Sequence, residues 1–125
     1  MYSHIFVGSN DIERSKKFYD AVLGTLGVPP ARVDDRGRLF YMTQSGMFGV
    51  TAPIDGNEAT PANGATIGFA ADSPAQADAW HAAGVANGGV SIEDPPGVRE
   101  GGVGRLYLAY LRDPDGNKIC ALHRL

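Results

Sequence analysis

Two side chains in this 125-residue sequence stand on predicted strands where they could carry proton transfer or nucleophilic attack: the imidazole of His4 and the thiol of Cys120, the only cysteine. His4 opens the apolar stretch HIFV. Cys120 lies in KICALHRL, after the turn residues Asp113-Pro114-Asp115-Gly116. If the two side chains meet, they form a Cys–His pair, with the imidazole activating the thiol. A buried cysteine is more often a small hydrophobe, and no cation stands immediately beside Cys120 to lower its pKa. His4 on an inward strand position needs a polar partner whatever its role. His81, beside Trp80 on a helical stretch, is expected on the outer helix surface. His123 falls on the opposite strand face from Cys120, near the C-terminus. Neither is assigned to a site. Glu58, Glu93, Asp94 and Glu100 fall in predicted loops, where solvation is the default for a carboxylate.

Aromatic side chains supply a second kind of chemistry. Phe6, Phe40, Tyr41, Phe48, Tyr107 and Tyr110 fall on predicted strands, and of Tyr107 and Tyr110 only one can face inward. Tyr41, Phe48 and Tyr110 are candidates to line a pocket for a flat apolar ligand. The segment EDPPGVREGGVGRLY, Glu93 to Tyr107, reads as a long loop that could serve as a lid. Its Arg105, or Arg99, is a candidate partner for a ligand carboxylate or phosphate. Its GGVGRL lacks the glycine spacing and strand–helix context of a dinucleotide site, and no phosphate loop, zinc-binding helix or serine elbow is present.

The elements that position these residues are legible as a repeat. His4 to Gly27 and Thr66 to Gly89 share a pattern at an offset of 62 residues. Each has an apolar strand, a polar pair, a helical run with an aromatic at the same place (Phe18, Trp80), then glycine and valine. Asn10 or Asp11 caps the first helix, with capping-box spacing from Asn10 to Glu13. Ile12, Ser15, Phe18, Tyr19, Val22, Leu23 and Leu26 share its apolar face. The second helix starts after Asp72 or Ser73, with Pro74 in its first turn, and its internal Gly84 is tolerable where the helix packs closely. Strands are predicted at Tyr2 to Val7, Arg38 to Gln44, Met47 to Ala52, Thr66 to Ala70, Arg105 to Arg112 and Lys118 to His123. Short ones are predicted at Arg32 to Asp34 and Val90 to Glu93. The result is one α+β domain over 1–125, with one module over about 1–55 and another over about 64–125, its sheets mostly antiparallel.

Composition excludes several classes. A net charge of −3 argues against a nucleic-acid partner or an anionic membrane surface. No apolar run is long enough to cross a bilayer. No secretory signal opens the chain, so a cytoplasmic location is expected. A single cysteine excludes an internal disulfide.

The opening strand with His4, the spacing Asp11-x-x-x-Ser15-x-x-Phe18-Tyr19, and Asp113-Pro-Asp-Gly-Asn117 together resemble the glyoxalase/bleomycin-resistance/extradiol-dioxygenase superfamily, also called vicinal oxygen chelate. The resemblance spans nearly the whole chain. It implies two βαβββ modules whose sheets curl around a cavity, and frequent pairing of two chains into a homodimer. In metal-dependent members, four strand positions hold a divalent cation such as Zn, Ni, Fe or Mn, which chelates two substrate oxygens. Those positions fall here on His4, on Thr66, near Val50 with Gly49 and Thr51 beside it, and on Cys120. Only His4 and Cys120 are metal-ligating types, and catalytic sites normally supply three protein ligands. No metal cofactor is therefore expected; if one binds, His4 and Cys120 are its ligands. The expected function is binding of a small molecule in the sheet cavity, with His4, Tyr41, Phe48, Thr66, Tyr110, Cys120 and Arg105 around it. The alternative is a glyoxalase-like lyase or isomerase, or a dioxygenase-type enzyme, using a non-standard metal or His4 alone.

Overall fold

The computed structural model describes residues 1–125. The first module runs β1 (His4–Gly8), α1 (Ile12–Gly24), β2 (Arg32–Val33), β3 (Leu39–Thr43) and β4 (Gly46–Thr51). The second runs β5 (Ile67–Ala70), α2 (Pro74–Ala86), β6 (Val90–Ser91), β7 (Gly97–Gly101), β8 (Gly104–Arg112) and β9 (Lys118–Arg124). The sheets have orders β1-β4-β3-β2 and β5-β9-β8-β6, with β7 also paired to β8. Each opening strand lies parallel to the closing strand of its own module, and all other pairings are antiparallel. The repeat in the sequence is thus a repeat in topology.

Asp11, rather than Asn10, caps α1, its carboxylate accepting from the Arg14 amide at 3.0 Å. Asn10 is used elsewhere: its side chain exchanges two hydrogen bonds with the backbone of Ala59. Ser73 caps α2 by accepting from the Gln76 amide, and Pro74 occupies the first turn. Gly97–Gly101 corrects the expectation of a long loop from Glu93 to Tyr107. It forms an antiparallel hairpin with β8, closed at Gly101 and Gly104, where Gly104 takes a φ of +98° that glycine alone adopts easily.

The helices do not lie on the outside of the molecule. Ser15, Phe18, Tyr19, Val22 and Leu23 of α1, and Ala77, Trp80 and Gly84 of α2, are buried. They join Leu39, Tyr41, Phe48 and Val50 from one sheet and Ala109, Leu111, Ile119 and Ala121 from the other in one core. Both sheets turn their helix-bearing faces towards this shared core, so their other faces look outward. Gly84 sets the closeness of the helix contact. A Cβ there would stand 2.2 Å from Leu111 Cδ1 and 3.2 Å from Val22 Cγ1.

The turn Asp113–Asn117 fastens the modules together. Asp113 is 3% exposed, and its carboxylate accepts from Tyr19 Oη (2.6 Å), from Asn117 Nδ2 (2.8 Å) and from the amides of Asp115 and Asn117. Asp115 accepts from the Asn10 amide, Arg14 and Ser15, and Asn117 Nδ2 also donates to the Gly8 carbonyl. No helix is long and apolar enough to cross a membrane.

Alanine is a better helix former than glycine by about 1 kcal/mol, yet overpacking costs about 1–3 kcal/mol. Gly84→Ala is therefore expected to lower the urea midpoint of unfolding. A raised midpoint would show that Leu111 moves aside without cost.

Candidate functional site

Strand parity divides the candidate residues between two faces. On the first sheet, Ile5, Val7, Leu39, Tyr41, Phe48 and Val50 point towards the helices, while His4, Phe6, Phe40, Met42 and Gly49 share the outer face. On the second, Tyr107, Ala109, Leu111, Ile119 and Ala121 point inward. Gly68, Leu108, Tyr110, Arg112, Lys118 and Cys120 share the outer face.

The outer face of the first sheet carries an aromatic row. His4 packs edge-on against Phe6 at 5.9 Å, Phe6 against Phe40 at 5.7 Å, and the Arg38 guanidinium sits 5.3 Å from the Phe40 ring centre. The row depends on Gly49. A Cβ at that position would stand 2.3 Å from Phe6 Cε1, so the phenyl ring occupies the space a side chain would need. His4 is exposed, and its Nδ1 pairs with Ser3 Oγ at 2.8 Å.

The matching region of the second sheet reverses this arrangement. Phe6 pairs in register with Gly49, and the equivalent pair is Gly68 with Cys120. The Cys120 thiol is 5% exposed and lies beside the bare Gly68 backbone, 3.2 Å from where a Cβ would be. Burial pushes the thiol up to about 11, although Lys118, two residues away on the same face, pulls it down. No hydrogen bond joins Cys120 to His4, whose ring is held by Ser3, and burial, Lys118 and Glu93 set the thiol's pKa. The Cys–His pair considered from the sequence is not formed.

The other candidates scatter. Tyr41 and Phe48 are core residues that also line one side of a largely apolar cleft of about 470 Å³. His4 stands in the same cleft, with Leu23, Leu26 and Phe69 on its walls. The Tyr41 hydroxyl donates to Asp20 at 2.8 Å, and burial together with that carboxylate raises its pKa well above the ordinary value. Burial alone would raise the Asp20 carboxyl. Hydrogen bonds from Lys16, the Ala31 amide and Tyr41 outweigh it and hold the group below its usual range. Thr66 lines a separate polar cleft of about 390 Å³ with Arg112 and Lys118. Tyr110 is on the outer face, 5.0 Å from Lys118 Nζ. Arg105 is on the opposite face of β8 from Tyr110, exposed and paired with Glu100 at 3.2 Å. Arg99 folds back onto the carbonyls of Asp94 and Pro95. His81 is half-buried on the α2 surface, where its Nε2 pairs with Ser91 at 2.9 Å and burial lowers its pKa. Arg112 and Lys118 were absent from the sequence-based set; the spacing of Lys118 from Cys120 was the available signal for one of them, while the sequence reads Phe6 as core or cavity lining.

The four positions that the resemblance marks for a cation do not suit one. The position expected near Val50 is Gly49, since Val50 points into the core and is 1% exposed. Gly49 has no side chain and lies beneath Phe6. Thr66 offers an alcohol and Cys120 a protonated thiol, leaving His4 as the one good donor. No three His, Cys, Asp or Glu side chains cluster so as to hold a metal ion.

The model of the Glyoxalase/Bleomycin resistance protein/Dioxygenase superfamily matches residues 2–121. A glyoxalase/bleomycin resistance protein from Albidiferax ferrireducens is 64% identical over 99% of both chains, with a TM-score of 0.97. A glyoxalase-related enzyme from Fulvimarina pelagi is 19% identical, covering 98% of this chain and 86% of its own, with a TM-score of 0.73. A lactoylglutathione lyase from Agrobacterium tumefaciens is 20% identical, covering 98% and 92%, with a TM-score of 0.67. The last two share the fold.

A thiol whose pKa is pushed from 9.0 to about 11 carries about 100-fold less thiolate at neutral pH. Native Cys120 is expected to react with a disulfide reagent at pH 7.5 at least that much more slowly than the urea-unfolded chain, the gap narrowing as pH approaches 11. Equal rates in the two states would refute the buried, protonated thiol.

Proposed function

This chain belongs to the glyoxalase/bleomycin resistance protein/dioxygenase superfamily, and from that premise we propose that it binds a small organic molecule on its outer sheet faces without a resident divalent metal. The observation that carries the reading is the Phe6 ring lying over Gly49. One metal corner has become part of an apolar floor, and a second, Cys120, is a neutral thiol. What remains on the two faces is recognition chemistry: the His4–Phe6–Phe40 row on one, and Tyr110 with flanking cations on the other. Apolar and aromatic surface with a few placed polar groups is the usual make-up of a small-molecule site.

Within one chain the two faces come together only at the 470 Å³ cleft, which His4 and Gly68 both line; Phe6 and Phe40 come opposite Tyr110 and Cys120 when two copies meet. His4 and Phe6 are on the outer face of one sheet, and Tyr110 and Cys120 on that of the other. The shared helical core turns these faces away from each other. β1 and β5 are also open edges, each paired on one side only. The proposed active form is a homodimer in which the first sheet of one copy faces the second sheet of its partner.

Two measurements test this. Adding Zn²⁺, Ni²⁺, Fe²⁺ or Mn²⁺ to chelator-treated protein is expected to leave the melting temperature unchanged. A saturable rise with stoichiometric binding, lost in His4→Ala, would overturn the metal-free reading. Sedimentation at micromolar protein is expected to give a dimer, and a strictly monomeric profile would refute the shared pocket.

A further inference from the structure

The outer face of the second sheet carries more positive charge than a chain of net charge −3 would lead one to expect. Register places Arg99, Arg112, Lys118 and Arg124 on it, four of the chain's eleven cations, and none of its strand positions there is acidic; the one carboxylate against the face is that of Glu93. Glu100 is on the opposite face, paired with Arg105. Arg112 and Lys118 are direct cross-strand partners, an arrangement in which like charges repel at about 5 Å between Cβ atoms. Glu93, from the segment before β7, pairs with Lys118 and offsets part of that repulsion. Arg112 uses one N–H on the Gly116 carbonyl at 2.7 Å, and no other protein acceptor takes its remaining donors.

These two cations form one wall of the 390 Å³ cleft. The other wall is the loop Pro61–Thr66, with Asn63, Gly64 and Thr66 among its lining residues. No acidic side chain lines it. The two charged side chains that line the cleft are both cations, the complement of an oxyanion. Next to it on the same sheet face, by register, lies an apolar strip. Lys118 Nζ is 5.0 Å from the Tyr110 ring centre, Tyr110 is the register partner of Cys120, and Cys120 is that of Gly68, whose missing side chain leaves the strip bare.

We propose that Arg112 and Lys118, facing the Pro61–Thr66 loop, form an oxyanion subsite. It takes the carboxylate or phosphoryl end of a small ligand whose flat apolar body lies along Tyr110, Cys120 and Gly68. This names the ligand class for the small-molecule reading above and rests on it. The like-charged pair is the specificity element: it favours an acid over its neutral counterpart of the same shape.

The test uses the full chain and three probes: 1-naphthoate, the neutral 1-naphthol, and inorganic phosphate, each titrated with backbone amide shifts as the readout. Naphthoate is expected to bind about tenfold or more tighter than naphthol, with shifts at Gly64–Thr66 and Arg112–Lys118 and along Tyr110. Phosphate is expected to move the loop and Arg112–Lys118 amides alone. Arg112→Gln and Lys118→Gln should each erase the preference for naphthoate while leaving naphthol binding unchanged. Equal affinities for the two naphthalene probes on the Tyr110 face would overturn the oxyanion subsite and leave the small-molecule reading standing. No shift on either outer face with any probe would overturn both. A preference for naphthoate that survives both glutamine substitutions would place the anion elsewhere and overturn the assignment to this pair.

Discussion

A single buried carboxylate, Asp113, governs how the two halves of this protein meet. Removing a charge from water costs several kcal/mol unless donors replace the solvent. Here two side chains and two amides do so. Three of the four come from the turn itself and shape it. The fourth, the Tyr19 hydroxyl, comes from the helix of the other module, and burial plus the neighbouring carboxylate keeps that hydroxyl protonated. Asp115 adds Arg14, Ser15 and the Asn10 amide, one residue before the helix cap. The turn of the second module is thereby seated on the first turns of α1. With that seat in place, α1 must lie against α2, both sheets must face inward on the helices, and their remaining faces must look outward. Exposure of His4 and of the Tyr110 face follows from this geometry, not from any property of those residues.

The same constraint gives the sequence signature its meaning. Asp11 caps the helix, Ser15 bonds Asp115, Phe18 packs against Gly84 and Gly89, and Tyr19 reaches Asp113. Each element of the Asp-x-x-x-Ser-x-x-Phe-Tyr spacing therefore has an architectural task. The motif and the Asp113–Asn117 turn identify the fold because they join the modules. They carry no information about a reaction, which is why the fold could be read from the residues while the ligand could not.

The fold was legible where local chemistry and tertiary packing agree. Helix faces, caps within one residue, the turn at Gly116 and the internal repeat follow from periodicity and capping. β7 was not legible, because Gly97 and Gly101 have low strand propensity and only pairing with β8 stabilises them. Which face of each strand meets the helices was legible only in part. Tyr41 and Phe40 are adjacent aromatics of opposite parity, one a core residue held by Asp20 and the other part of the outer row under Arg38. Alternation separates them but does not say which is which. The placement of the helices between the sheets required the Tyr19–Asp113 bond, a contact between residues 94 positions apart.

The internal repeat also shows how the outer faces came to differ in chemistry. At equivalent register positions, one module has a large ring on the opening strand and glycine on the closing strand, and the other has glycine on the opening strand and cysteine on the closing strand. Neither pair favours a carboxylate facing its partner strand, the first for want of space and the second for want of solvent. At Gly49 the phenyl ring is already there, and at Cys120 an ionised side chain would bear the burial penalty that already keeps the thiol neutral. Packing at two equivalent places thus disfavours a carboxylate. The charge on these faces stands at the rim of the aromatic surface. The first sheet places Arg38 over Phe40, and the second places Lys118 over the edge of Tyr110 with Arg112 beside it. Both modules therefore present an aromatic floor with a cation at its border.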